Sequence, residues 1–262
     1  MGEMRGSAVI LRMTEYGDRD LIVVMLTESS GRVDVIARGA KGSKRFSGHL
    51  GLFYVVDFLA QSRSTGALAT LKEVRVIRGF IGLSQHLERL ATASVLAESF
   101  VKSSVSEETD PDAFHLAVSS LARLDTCDAE QCLAVMCHSV VHLLRLRGVL
   151  ADLWHCHRCG VVLDGNHRVA FSVPDLVPFC PTCVSRTQPQ SLISGTAMRW
   201  LQTWYDHWDL SVAGRSIQDG VVHRDELWFL YDQLLLPALM SLINGRIQSA
   251  AFLQTAMGRG SS

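Results

Sequence analysis

Cys156-His157-Arg158-Cys159 and Cys180-Pro181-Thr182-Cys183 are two matched CxxC pairs separated by twenty residues. A CxxC turn lets two thiolates grip one metal ion, and two such turns complete a tetrahedral all-sulfur shell. With Cys156, Cys159, Cys180 and Cys183 as ligands, no position stays open for water or substrate. The expected Zn2+, one per chain, is therefore structural rather than catalytic. A vacant cluster and a redox pair are the weaker readings. His155 and His157 flank the first pair and read as surface residues, because four thiols already suffice. The pairs mark a small insert, at about 154–186, stapled into a larger body.

Around the insert the pattern is helical. Leu83, Leu87, Leu90, Ala91, Ser94, Val95 and Ala97 form an i, i+3/i+4 stripe on a helix expected over 84–103. Asp110-Pro111 reads as an N-cap followed by proline at the first helical position, opening a helix to about Leu124. A third, from Asp128 to Arg147, is apolar enough to be central and ends at Gly148. Beyond the insert, helices are expected over 194–208, 224–244 with a kink at Pro237, and 245–257. Trp200, Trp204 and Trp208 recur every four residues on the first of these; core packing is the favoured reading and a partner groove the alternative. Cys127, Cys132 and Cys137 read as buried core thiols.

The first eighty residues have a different period. Ala8–Met13, Leu21–Thr27, Arg32–Ala37, Phe53–Ala60 and Leu68–Ile77 are short runs rich in Val, Ile and Leu, separated by turn formers such as Tyr16-Gly17-Asp18 and Ser29-Ser30-Gly31. Five such strands fit a small OB-fold barrel, with an SH3-like barrel as the rival on strand count. The expected class is α+β: an N-terminal five-stranded OB-fold barrel over 1–80, then a mostly helical domain over 81–257 carrying the four-cysteine zinc insert.

Apolar residues make up 48% of the 262, and charged residues 19%, which describes an ordinary globular protein with an ample core. No apolar run approaches the roughly 18 residues of a membrane span, and the first residues carry no apolar core of a signal peptide. A cytoplasmic protein with reduced thiols is expected. The net charge of −1 conceals an asymmetry: residues 1–80 hold 12 Lys and Arg against 8 Asp and Glu, and the rest hold 13 against 18. The basic part is therefore the one expected to meet a polyanion.

That part contains Arg38-Gly39-Ala40-Lys41-Gly42-Ser43-Lys44-Arg45-Phe46-Ser47-Gly48, with four cations and no acid. Cations replace the counterions of a phosphate chain, and glycines let it come close. Arg38, Lys41, Lys44 and Arg45 are the candidate nucleic-acid contacts. Phe46 is expected to plug the barrel, with base stacking as the alternative; Arg5, Arg12, Arg19 and Arg32 are candidate extensions of the patch. Enzyme signatures are weak. His86-Leu87-Glu88 and Pro178-x-Cys180-x-x-Cys183 approach the zinc deaminase pattern, but the proline is one residue out and the thiolate shell needs no histidine. The glycines of the basic loop lack the P-loop spacing, and no G-x-S-x-G elbow is present. A non-enzymatic protein is expected.

These residues converge on a family. Tyr16-Gly17-Asp18-Arg19-Asp20-Leu21, Thr27-Glu28 leading to Gly31-Arg32-Val33, Ala37-Arg38-Gly39-Ala40, and Leu50 to Phe53 resemble the opening of RecO, the bacterial recombination and repair mediator. The order of parts (barrel, helical domain, four-cysteine insert) is similar across nearly the whole chain. The resemblance implies an ATP-independent protein that binds single- and double-stranded DNA and anneals complementary strands. It further implies action with RecR to load RecA on DNA coated by single-stranded DNA-binding protein, whose tail is a partner, and a place in the cytoplasm at the nucleoid. The rival reading is a zinc-ribbon interaction module whose barrel binds RNA or protein.

Overall fold

The computed structural model describes residues 2–43, 45–62, 68–106, 108–150, 152–173, 175–184, 190–210 and 223–259. They form two compact units, one running to Asp125 and resuming at Ser249, the other spanning Thr126–Gln248.

The first unit is built on strands β1 (Gly2–Tyr16), β2 (Asp20–Thr27), β3 (Gly31–Ala37), β4 (Val55–Ser62) and β5 (Ala69–Arg78). All five expected strands form, and β1 is longer at both ends. They pair in the order β1-β2-β3-β5-β4, with β4 returning to β1, as in an OB-type barrel. The parallel junction of β3 with β5 is the shortest, Val35 facing Ala69 and Ile36 facing Thr70. Alternation sends Ala8, Ile10, Val23, Met25, Val33, Val35, Val56, Phe58, Ala60 and Leu71 inward. Val9, Val24 and Leu26 point the other way yet are also buried, because α1 (Leu87–Ser103) lies over β1 and β2. Val105 and Glu108 then lie so close to β3 that a Cβ on Gly31 would be 1.9 Å from the Glu108 carbonyl oxygen. Gly31 also has φ +57, so only glycine fits.

Helix α1 starts at Leu87 rather than at Ser84, since Ile81–Ser84 takes a 3-10 turn. Helix α2 (Pro111–Thr126) opens on the expected cap, the Ala113 amide donating to Asp110 Oδ1 at 3.2 Å. The C-terminal helix begins later than its apolar pattern suggests, at Ser249, where the Glu98 carboxylate of α1 accepts both the Ser249 amide (2.8 Å) and its hydroxyl (2.6 Å). A carboxylate at a helix N-terminus satisfies free amides and the local dipole together.

The second unit is organised by α3 (Cys132–Leu146), which an Asp128/Gln131 capping box introduces. Residues Cys132 to Leu144 are all buried, so this helix is central, as its composition suggests. Strands β6 (Val169–Ser172), β7 (Val177–Phe179) and β8 (Gln190–Ile193) form a small antiparallel sheet with β6 in the middle. Helix α4 (Gly195–Asp206) follows, N-capped by Ser194. The expected helix over 224–244 is instead α5 (Arg224–Leu230), a π turn (Tyr231–Leu235) and α6 (Leu236–Leu242); α7 is the C-terminal helix Ser249–Ala256. Pro237 has no amide to offer the Gln233 carbonyl one turn back, and Ser191 donates its hydroxyl there at 2.6 Å.

α4 illustrates how side chains from a neighbouring helix satisfy the carbonyls at a helix end. Arg145 of α3 donates to the Tyr205 carbonyl, while His138 and His142 place Nε2 at 2.7 and 3.0 Å from the His207 carbonyl oxygen. Trp200 and Trp204 are core residues as expected; Trp208, past the helix end, is 44% exposed and stacks on His142. Burial, then the neighbouring His138, pushes His142 down to about 4, and burial likewise lowers His138. The His207 and Trp204 carbonyls oppose the depression at both rings and Asp209 opposes it at His138, while Arg145 deepens it at His142. Both rings are thus neutral when folded, while the unfolded chain takes up protons below about pH 6.5. The stability they contribute is complete above that pH and lost as the pH falls toward about 4. The melting temperature is expected to drop between pH 7 and 5, with a shallower drop in His142→Gln; identical pH profiles for the two proteins would contradict this.

Candidate functional site

Two groups of residues carry chemistry, one in each unit. The first lies at one end of the barrel. The chain leaving β3 folds across the β1–β2 turn, the Gly39 amide donating to Asp20 Oδ1 (2.7 Å) and the Lys41 amide to the Arg19 carbonyl (3.1 Å). Phe46 inserts into the barrel core and is 4% exposed, with the Arg45 guanidinium 5.2 Å from its ring centroid. The loop ends where the Phe53 amide donates to the Ile10 carbonyl at 2.8 Å. Phe53 has φ +68, a conformation costing on the order of 1–3 kcal/mol that its buried ring helps to hold. Three anchors therefore fix a loop that composition alone reads as mobile.

On this support Arg38, Lys41 and Arg45 are exposed, and Lys44 lies outside the described residues. Phe46 is the plug expected, not a surface ring. The backbone of Arg19 meets that of Lys41, so this exposed arginine sits on the turn beside the loop, a placement that needed the β1–β2 pairing to be known. Arg32 does not extend the patch: it forms an ion pair with Asp34 (2.8 Å) and donates to the Val101 carbonyl (3.3 Å). Sequence reasoning missed the acids here. Lys41 Nζ is 2.8 Å from Glu15 Oε2 and 3.4 Å from the Gly17 carbonyl oxygen. Glu15, Asp18 and Asp20 offset much of the local positive charge, so an arriving phosphate has to displace a carboxylate to reach Lys41.

The second group is the four cysteines. Their sulfurs all lie within 4.8 Å of one another, and no disulfide joins them. The Cys156 carbonyl accepts the Gly160 amide (2.9 Å), Gly160 closing the turn at φ +71, and the Cys180 carbonyl accepts the Cys183 amide (3.0 Å). The two turns are tied by the His157 amide on the Pro178 carbonyl (2.9 Å) and the Cys180 amide on Cys156 Sγ (3.3 Å). Gln202 of α4 donates to both the Leu153 and Leu163 carbonyls, clamping the ends of the first turn. Neither neighbouring histidine belongs to the cluster: His155 pairs with Asp152 at 2.7 Å, and His157 packs edge-on to Phe179.

The donor set fits a thiophilic ion. A tetrahedral shell with Zn–S of about 2.3 Å separates its sulfurs by about 3.8 Å, and Cys159 Sγ and Cys180 Sγ are 3.7 Å apart. Electrostatics points the same way. The Thr182 hydroxyl, at 3.0 Å, leads in holding Cys180 down to about 6, while bonding to Cys159 and Cys180 pushes Cys183 up to about 12. Cys156 is lowered too, burial being outweighed by amides led by that of Cys180, so two thiols ionise readily and the proton on Cys183 stays because adjacent thiolates repel without a cation. The cluster can hold a metal ion and is compatible with zinc. Cys127, Cys132 and Cys137 lie apart, buried as expected; burial raises the Cys137 thiol and keeps it inert.

Residues 1–80 match the family described as Recombination protein O N terminal, and residues 84–219 match Recombination protein O C terminal. The chain belongs to the RecO family. It is 32% identical over 213 residues to DNA repair protein RecO of Desulfatibacillum aliphaticivorans, covering 80% of this chain and 82% of that one. DNA repair protein RecO of Bacillus pumilus (strain SAFR-032) is 31% identical over 214 residues, 81% and 80% of the two chains. That of Anaeromyxobacter dehalogenans (strain 2CP-C) is 32% identical over 200 residues, 75% and 77%. The two family ranges contain the barrel, its basic loop and the four cysteines. No helix among the described residues is long and apolar enough to cross a membrane.

Proposed function

We propose that this RecO-family chain is a DNA repair protein that binds single- and double-stranded DNA and anneals complementary strands without ATP. The observation that supports it most is the anchored cationic loop at the end of an OB-type barrel. Annealing requires two polyanions to be held together, and cations that neutralise phosphates lower that barrier with no chemical step. The chain is then not an enzyme. Arg38, Lys41, Lys44 and Arg45 are assigned as phosphate contacts, residues 1–80 as the DNA-binding domain and 81–257 as its helical support. In the cell it acts with RecR to load RecA on DNA coated by single-stranded DNA-binding protein, whose tail it contacts, in the cytoplasm at the nucleoid.

Cys156, Cys159, Cys180 and Cys183 are assigned as ligands of one structural Zn2+. The bound ion supplies folding free energy to an insert whose strands are three and four residues long. The four side chains, held by the amides described above, provide a closed shell with no site for substrate.

Two measurements test these assignments. Wild-type protein is expected to speed duplex formation between complementary oligonucleotides, bare or coated with single-stranded DNA-binding protein, without ATP. Arg38→Glu/Arg45→Glu should lose that effect, and its slope of log affinity against log salt should be shallower by about 1.4, the contribution of two single-strand phosphates. Absence of acceleration by wild type favours the zinc-ribbon binding module instead. For the metal, wild type is expected to carry one zinc per chain, and Cys180→Ser to lose it and melt earlier; full zinc content with an unchanged melting profile would refute the ligand assignment.

A further inference from the structure

The loop that carries the cations also roofs an open groove of about 380 Å³. Its apolar lining is Met13, Leu21, Phe46 and Leu50; its polar lining includes Lys41 and Ser43, and glycine backbone completes the edge. The volume falls in the range of small-molecule sites, roughly 300–1,000 Å³. A nucleobase matches this lining, having two apolar faces and a polar edge. A base within a duplex has both faces stacked and its edge paired, so only an unstacked base can enter. Charge adds to the match, because Lys41 in the groove wall puts a cation beside whatever enters.

We propose that this groove takes one unstacked nucleobase of single-stranded DNA, and that the adjoining phosphate replaces Glu15 on Lys41. The inference rests on the DNA-binding reading above and deepens it. Glu15 holds Lys41 at 2.8 Å, and its side chain is 79% exposed. An exposed pair of this kind is weak and exchanges readily with a competing anion. Glu15 thus acts as a stand-in for phosphate: it keeps the lysine oriented while the groove is empty and lowers affinity for any polyanion that cannot also place a base. Single strands gain the base contact that offsets this exchange, and duplexes do not. The groove therefore favours single strands over duplexes, and Glu15 sets the threshold.

The test uses the full chain and three probes: a fluorescent single-stranded oligonucleotide, an abasic oligonucleotide of the same length and charge, and a duplex. Wild type is expected to bind the base-bearing strand about tenfold more tightly than the abasic one, the contribution of about one base contact. Glu15→Gln should bind all three about threefold more tightly, since it removes the competing carboxylate. Gly42 lines the groove, and a Cβ there meets no atom within 4 Å. Gly42→Leu, which alters no charge, should bring the affinity for the base-bearing strand down to that of the abasic one.

Equal, salt-sensitive binding of both single strands by wild type would overturn the groove while leaving a phosphate-only DNA site intact. Binding of neither would overturn the DNA reading itself. A base preference that survives in Gly42→Leu would move the base elsewhere, and an unchanged affinity in Glu15→Gln would remove Glu15 from the scheme. A short acidic, apolar peptide that binds wild type but not Gly42→Leu, with the two single strands bound alike, would give the groove to a protein partner.

Discussion

The burial of Phe46 in the end of the barrel is the contact on which the rest of the first unit's chemistry depends. Small residues such as Ala8, Ala37, Ala60 and Ala69 leave space in the interior that one aromatic ring fills from the loop side. Fully burying such a ring contributes on the order of 1.5–3 kcal/mol, enough to hold a glycine-rich segment that would otherwise be free to wander. Asp20 and Ile10 then grip the loop on either side of the plug. Rigid placement matters because exposed lysines and arginines on a floating loop lose much of their attraction to the entropy of ordering. Here the backbone is already ordered when a ligand arrives.

The second unit meets the opposite difficulty. Its central helix α3 is buried along its length, but the segment bearing the cysteines has only short strands around a small core of Leu153, Leu163, Phe171 and Leu176. Hydrogen bonds add to so small a core, the Cys180 amide on Cys156 Sγ and the Gln202 clamp among them. The four sulfurs stand close enough together to hold a metal ion, which would add a cross-link. The histidines at the end of α4 serve a related purpose: their Nε2 atoms meet the His207 carbonyl, just past the last turn of the helix.

Much of this was legible in the sequence, for identifiable reasons. Strands β2 to β5 declare themselves because branched apolar residues alternate between turn formers, and the cysteine cluster because its spacing is the geometry of a tetrahedral turn. Caps at Asp110, Asp128 and Ser194 work through side chains one turn away, so they too can be read locally. What escaped depends on partners distant in the chain. Lys41 looked free because Glu15 is 26 residues upstream and meets it only after β1, β2 and β3 have paired. Arg32 is held first by Asp34, two residues on and on the same strand, a partner the sequence did offer; only its Val101 contact from α1 is distant. Pro237 predicted a kink; the π turn at Tyr231–Leu235, where Ser191 of another element meets the Gln233 carbonyl, has no local signal.

The central claim is that the loop end of the barrel is the surface DNA occupies. Hydrogen exchange of the full chain with and without a saturating single-stranded oligonucleotide tests it most directly. The account predicts that protection on binding centres on residues 16–20 and 38–50, the β1–β2 turn and the loop folded across it. Protection confined to residues 126–248, with those two segments unchanged, would contradict it.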